Sequence, residues 1–337
     1  MALKTSNKKT EMSALFQTLI QNYGSLRAAL DTIYQLSQNI RLLSFNSSVE
    51  AARAGQAGRG FRIIAGEIKK FSEKSDESNK LCGDVVNTIE GGMQQLIGVR
   101  TADMAFDLID KIDRNLFERN CDVQAWATFG KIISALESPS AASLQSAREI
   151  LSNLVKIYEV YLDIVLCDLS GKVVCTGVTS VLEGTDVSER EWFRRTVESG
   201  KVYVTDMYHS ATLNAQTVAY SCPVCSLSGQ LLGVISTRFN WKFIYDIVDK
   251  AMIGRDGEIY VVNKQGTVIA SKNKGDVLNK SLSALPAMTR LQNGTDYGYD
   301  IDAQKDGKLA VFGFARTQGY NAYRGKDWSV IVREIYQ

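Results

Sequence analysis

Between Asn46 and Phe61 the chain reads Asn-Ser-Ser-Val-Glu-Ala-Ala-Arg-Ala-Gly-Gln-Ala-Gly-Arg-Gly-Phe, and apolar heptads leave this stretch in both directions. Leu19, Tyr23, Leu26, Leu30, Ile33, Leu36, Ile40 and Leu43 precede it at steps of three and four. Phe61, Ile64, Ile68 and Phe71 follow it, with Val85 and Ile89 beyond a polar patch. That period belongs to amphipathic helices. Gly55, Gly58 and Gly60 let the chain reverse, while Ala51 and Ala52 carry the first helix to its end. Arms of about 40 residues make rods of roughly 60 Å. The pattern predicts an antiparallel helical hairpin, a coiled coil whose one apolar stripe is too narrow to bury alone, and so implies a homodimer.

The run Val49-Glu50-Ala51-Ala52-Arg53-Ala54-Gly55, followed by Gly58-Arg59-Gly60-Phe61, resembles the cytoplasmic tip of methyl-accepting chemotaxis receptors. In that family the tip contacts a histidine kinase and a coupling protein. The resemblance implies the same partners here, with Asn46, Glu50 and Arg53 at the contact positions. Gln38 departs from the family's apolar trimer contact, and Arg41 adds a charge on the same arm.

A chain of 337 residues predicts two or three domains. A net charge of +2 and scattered basic residues argue against nucleic acid as a partner. Lys4, Lys8 and Lys9 read as a solvated lead-in, with residues 1–10 disordered. No apolar run reaches the roughly 18 to 20 residues of a bilayer span, so no membrane insertion and a cytoplasmic location are expected. The hairpin is assigned residues 11–98, with a hinge or break at Gly91-Gly92.

Residues 99–161 read as a helical stalk. Met104, Phe106, Leu108, Ile109, Ile112, Leu116 and Phe117 give it a helical moment, and Ser138-Pro139-Ser140 marks a second helix entry. From Asp163 the period becomes that of strands. Two hairpins, around Asp168-Leu-Ser-Gly171 and Asn263-Lys-Gln-Gly266, open two similar α+β modules over 162–250 and 251–337. Asn115–Gln124, Trp192-Phe193, Val204-Thr-Asp-Met-Tyr208, Cys222-Pro-Val224, Gly229, Gly233 and Gly325-Lys-Asp-Trp328 stand in the order and at the spacing of the double Cache sensor. The chain resembles that family over most of 101–337. The resemblance implies an α+β fold of two PAS-like Cache modules on a long helix, the first of which binds a small-molecule ligand.

Amino-acid-binding members of that family hold the carboxylate with an arginine and a tryptophan, and the ammonium with tyrosine and aspartate. Arg190, Trp192 and Phe193 fit the carboxylate clamp, and Tyr208 fits one tyrosine. Thr185 replaces the other tyrosine, and Ser236-Thr237-Arg238 occupies the strand that carries the aspartate. Arg238 beside an ammonium would be repulsive, so a small carboxylate or other anion is expected. Arg190 could instead pair with Glu189 or Asp186, and Trp192 could be a core anchor.

The single His209, expected in a loop at the cavity rim, offers no catalytic pairing, and no enzyme activity or cofactor is implied. Cys167, Cys175, Cys222 and Cys225 could gather at one end of the first sheet as a zinc or redox site. A signalling protein acting on a chemotaxis kinase is the leading expectation. A binding or decoy protein without kinase output and the thiol sensor are its alternatives.

Overall fold

The computed structural model describes residues 2–254, 257–304 and 308–336, with the side chains of 2–17, 20 and 336 outside the description. Helix α1 (Ala2–Arg53) and helix α2 (Arg59–Ala127) lie side by side, joined by a 3₁₀ turn at Gly55–Gly58. Gly55 takes φ +58, and a Cβ on Gly58 would sit 2.1 Å from the Ala51 carbonyl oxygen. The reversal therefore needs glycine at both places. The lead-in expected to be disordered is helical from Ala2, because neither Gly nor Pro interrupts the chain before Gly24.

The seam between the arms is not the apolar stripe. Ser37, Ser44 and Ala51, seven residues apart, are buried against Ala65 and Ser72. Ser44 Oγ donates to the Ala65 carbonyl at 2.8 Å, and Ser37 Oγ donates to Asp76 Oδ1 at 2.5 Å. Small side chains let the two helices approach closely. Leu36, Leu43, Phe61, Ile64 and Phe71, which carry the heptads, are each more than half exposed on the outer face.

Gly91-Gly92 does not break α2, which runs on as one rod into the stalk. Each glycine costs a helix about 1 kcal/mol, and packing offsets that cost here. Met93 and Ile97, one turn beyond the pair, are buried against Val311 of the second module, with Tyr23 of α1 in the same cluster. The run Asn115–Gln124, quoted for the Cache resemblance, lies well inside this helix.

Two shorter helices follow, α3 (Gly130–Glu137) and α4 (Ala141–Tyr158), the latter capped by Ser140 Oγ accepting from Ser143 N. The first module contains β1 (Tyr161–Asp168), β2 (Val173–Thr176), α5 (Glu191–Ser199), β3 (Tyr203–Val204), β4 (Tyr208–Ser210), β5 (Ala215–Val218), β6 (Tyr220–Cys225) and β7 (Leu231–Asn240). After α6 (Lys242–Asp249) the second module repeats the plan with β8 (Glu258–Val262), β9 (Val268–Ser271), α7 (Pro286–Gln292), β10 (Tyr297–Ala303), β11 (Leu309–Arg316) and β12 (Ser329–Tyr336).

Both sheets are antiparallel and share one order. The second runs β10-β11-β12-β8-β9; the first runs β2-β1-β7, with the other edge of β7 divided between β5 and β6. β5 and β6 are separated at Ala219. The main core gathers Leu108, Ile112, Leu116 and Trp126 of α2 with one face of each sheet. α2 meets the second module nearest the hairpin. A Cβ on Gly313 of β11 would lie 2.2 Å from the Thr101 backbone, and Arg100 pairs with Glu334 of β12. Among the described residues no helix is long and apolar enough to cross a membrane.

Candidate functional site

The face of the first sheet turned away from α2 forms the floor of a cavity of about 580 Å³, within the range usual for small-molecule sites. One wall hangs on Asp163 of β1. Its carboxylate accepts from the backbone N–H groups of Ile164, Gly177, Val178 and Thr179 at 2.7 to 3.1 Å, fixing the chain that leads to Leu182 on the cavity lining. α5 forms a second wall, and the segment from Thr205 to Leu213 a third.

Arg190, Trp192, Tyr208 and Arg238 all line this cavity. Arg190 caps the N-terminus of α5 with its side chain exposed, and among the described residues it forms no ion pair with Glu189 or Asp186. Trp192 is buried, and the Arg238 guanidinium stacks on its indole at 4.6 Å. Phe193 does not reach the lining: it is 4% exposed and packs edge-on against Trp192 at 6.0 Å. Tyr208 is half-buried on β4, and among the described residues its hydroxyl has no protein partner. His209 lines the cavity too, on that strand rather than in a loop.

Arg238 is the innermost charge. It is 9% exposed, and its Nη1 donates only to neutral oxygens, Ser236 Oγ at 2.6 Å and the Thr237 carbonyl at 2.8 Å. Its cross-strand neighbour Asp163 is occupied by backbone donors, and the two form no ion pair. The acids of the lining are likewise taken. Asp186 accepts from Ser188 N, which holds its carboxyl below the ordinary range. Glu191 accepts from the Tyr203 hydroxyl at 2.6 Å. Asp206 accepts from the Trp328 indole at 2.7 Å and its own neighbour Met207 N at 3.0 Å. Two arginines that form no ion pair among the described residues thus share the cavity with three carboxylates, each of which accepts a protein hydrogen bond. Thr205, Asp206 and Met207 lie in the quoted run Val204–Tyr208 but were not singled out as lining residues, and Leu182 carries no local pattern that sets it apart.

The cysteines do not gather. Cys175 and Cys222 stand in one cross-strand row with Leu166 and Ile235 between them, about 14 Å apart at the usual strand spacing. Cys167, one residue on from Leu166, faces the opposite side of the sheet. All six cysteines are free, and among the described residues no group of His, Cys, Asp or Glu is placed to hold a metal ion. Burial pushes the thiols of Cys167, Cys175 and Cys222 up to about 12, which opposes thiolate chemistry. The expected thiol sensor is therefore corrected: alternation along the strands splits the set between two faces.

At the far end of the rod Asn46, Glu50 and Arg53 are exposed, with Arg53 Nη1 on Glu50 Oε1 at 2.9 Å. A helical reversal with an exposed polar apex and a paired-sheet module with a half-open, ligand-sized cavity define a sensor-like module joined to a helical hairpin.

The chain belongs to the Cache domain family, which matches residues 83–334, and residues 3–161 match the methyl-accepting chemotaxis protein signalling domain. Curated relatives include the biofilm dispersion protein BdlA of Pseudomonas aeruginosa, 32% identical over 28% of this chain and 23% of that protein. The methyl-accepting chemotaxis protein McpN of the same organism is 27% identical over 42% of this chain and 25% of its own length. The chain thus spans about a quarter of these relatives. Among solved structures, the ligand-binding domain of the Campylobacter jejuni chemoreceptor Tlp3 with L-norvaline matches 72% of this chain and 92% of that one, at TM-score 0.58 and 14% identity. The sensor domain of the Vibrio cholerae histidine kinase DctB matches 71% and 97%, at TM-score 0.54 and 12% identity. The fold is that of a double Cache sensor, and the protein is chemoreceptor-like.

Proposed function

We propose that the cavity of the first module binds a small carboxylate or similar anion, and that the hairpin carries its occupancy to a chemotaxis histidine kinase and coupling protein. The observation that supports the ligand class is the buried Arg238 at the cavity floor, which like Arg190 forms no ion pair among the described residues, whereas Asp186, Glu191 and Asp206 each accept a protein hydrogen bond. Arg238 would hold the anion at the floor, Trp192 would orient its guanidinium, and Arg190 and Tyr208 would close on the ligand from the mouth. The tip residues Asn46, Glu50 and Arg53 would supply the kinase contact, in the cytoplasm where that complex works.

The outer apolar stripe supports a homodimer. Leu81, Val85, Ile89, Leu96 and Val99 continue it along α2, all exposed in the single chain. A second hairpin would cover them and complete a four-helix bundle.

A thermal-shift screen of acetate, lactate, succinate, malate and phosphate against primary amines and free amino acids tests the ligand class, since binding raises stability by mass action. Carboxylates should raise Tm, amines should not, and Arg238→Ala should abolish the shift. A carboxylate hit that survives both Arg238→Ala and Arg190→Ala refutes the site, and stabilisation by amines alone refutes the ligand class. Pull-down with the kinase and coupling protein tests the output. Absence of association under every ligand condition would leave a binding protein without kinase output.

A further inference from the structure

The segment between β11 and β12, Thr317 to Trp328, spans from the stalk helix to the ligand cavity. At its start Asp113 of α2 accepts from Thr317 Oγ1 at 2.5 Å, Gln318 N at 3.2 Å and Gly319 N at 3.0 Å. Next, Tyr320 packs edge-on against Phe117 at 5.2 Å, with the Arg114 guanidinium over its ring at 4.3 Å. At its end Lys326 Nζ donates to the Val204 carbonyl at 2.8 Å, and the Trp328 indole donates to Asp206 Oδ1 at 2.7 Å. Asp206 belongs to the cavity wall, two residues before Tyr208.

The segment is stiff. Tyr320 and Tyr323 exchange two backbone hydrogen bonds, and Gly319 and Gly325 take φ +72 and +75. A Cβ on Gly325 would lie 2.2 Å from Thr317 Oγ1, so the two ends of the loop touch. A stiff strap fastened at both ends transmits displacement, whereas a slack loop would absorb it.

We propose that Asp206 is a positioning residue that ties the cavity wall to this strap, so that ligand occupancy bears on α2 at Asp113 to Phe117 through the second module. It spends its carboxylate on Trp328 and Asn263 rather than on the ligand. Movement of the Thr205–Leu213 wall on binding pulls Trp328, the strap turns as a unit, and α2 receives the load on a helix continuous with the hairpin. This deepens the proposed anion site and rests on that cavity being the one that fills.

Hydrogen exchange of the full chain without ligand gives a direct test. Asp206→Ala should speed exchange of the Gln318 and Gly319 amides at least tenfold, though neither touches Asp206, while β8 amides and Tm stay near wild type. Trp328→Phe should do the same, and Asp206→Asn, which keeps a carbonyl acceptor for the indole, should restore most of the protection. Unchanged exchange at Gln318 and Gly319 in both Asp206→Ala and Trp328→Phe overturns the proposal.

A second arm follows the indole N–H resonances during titration with succinate or acetate. Wild type should shift Trp192 and Trp328 together and alter exchange at Asp113–Phe117. Trp328→Phe, outside the cavity lining, should keep the Trp192 response and lose the α2 response. An α2 response of equal size in Trp328→Phe overturns the strap. Should neither acid move Trp192, the anion site fails for those acids and the ligand-free exchange decides the strap by itself.

Discussion

Arg238 shows how one residue sets the character of a cavity. Its guanidinium, buried on a central strand, donates to neutral oxygens and lies over an indole face without an ion pair among the described residues, and that is the basis of the proposed anion site. Asp163 works in the opposite sense, since four backbone donors consume it and make it structural. Asp163→Asn can keep Oδ1 for Ile164, Gly177 and Val178 but turns an amide N–H toward the Thr179 N–H, and should cost about 1 to 3 kcal/mol, read as a lower urea midpoint at unchanged m. Residue chemistry also predicts thiol behaviour. At pH 8 a thiol with pKa about 12 is ionised to about one part in ten thousand. Ellman's reagent should therefore label the exposed Cys82 readily and leave Cys167, Cys175 and Cys222 unlabelled until urea unfolds the sensor. That Arg190, Trp192 and Tyr208 meet in one cavity could be expected from a family motif, and Arg238 stood out as a departure from it. Asp206 could not be read in this way, because its role lies in a contact with Trp328 across 122 positions of the chain.

Among the elements, α2 carries the most consequence. Gly91-Gly92 was a reasonable place to end it on local propensity, and packing of Met93 and Ile97 against the second sheet overrides that preference. Neither glycine has a heavy atom within 4 Å of an added Cβ. The double substitution Gly91→Ala, Gly92→Ala should then stabilise the protein by about 1 to 2 kcal/mol in chemical denaturation. Gly58→Ala should do the reverse, because its Cβ would meet the Ala51 carbonyl at 2.1 Å. Opening the tip in that way should increase proteolysis near Gly55–Gly58 while leaving the sensor's unfolding transition in place. The heptads announced both helices of the hairpin. They did not announce which residues form its seam, because serine and alanine at every seventh position carry no signal on a hydropathy scale. β4, α6 and β10 went unread for a similar reason: the strands are short or polar and half-exposed, and α6 offers only eight residues of pattern.

For the molecule as a whole, one helix runs unbroken from the tip across the second module to the first, whose opposite sheet face carries the ligand-sized cavity. The proposed dimer makes a simple prediction. Sedimentation should give twice the 37.2 kDa chain mass, and Phe71→Glu, on the exposed stripe, should shift the equilibrium to monomer without loss of sensor stability. Local pattern sufficed for the existence of the hairpin and the repeated strand-rich modules, because helical period, strand alternation and turn glycines are properties of neighbouring residues. The tertiary structure alone decided the unbroken path of α2, the scattering of the cysteines over two faces and the fastening of Asp206 to Trp328. Each of those depends on which distant segments meet, and a meeting between residues far apart in the chain leaves no periodic trace in either one.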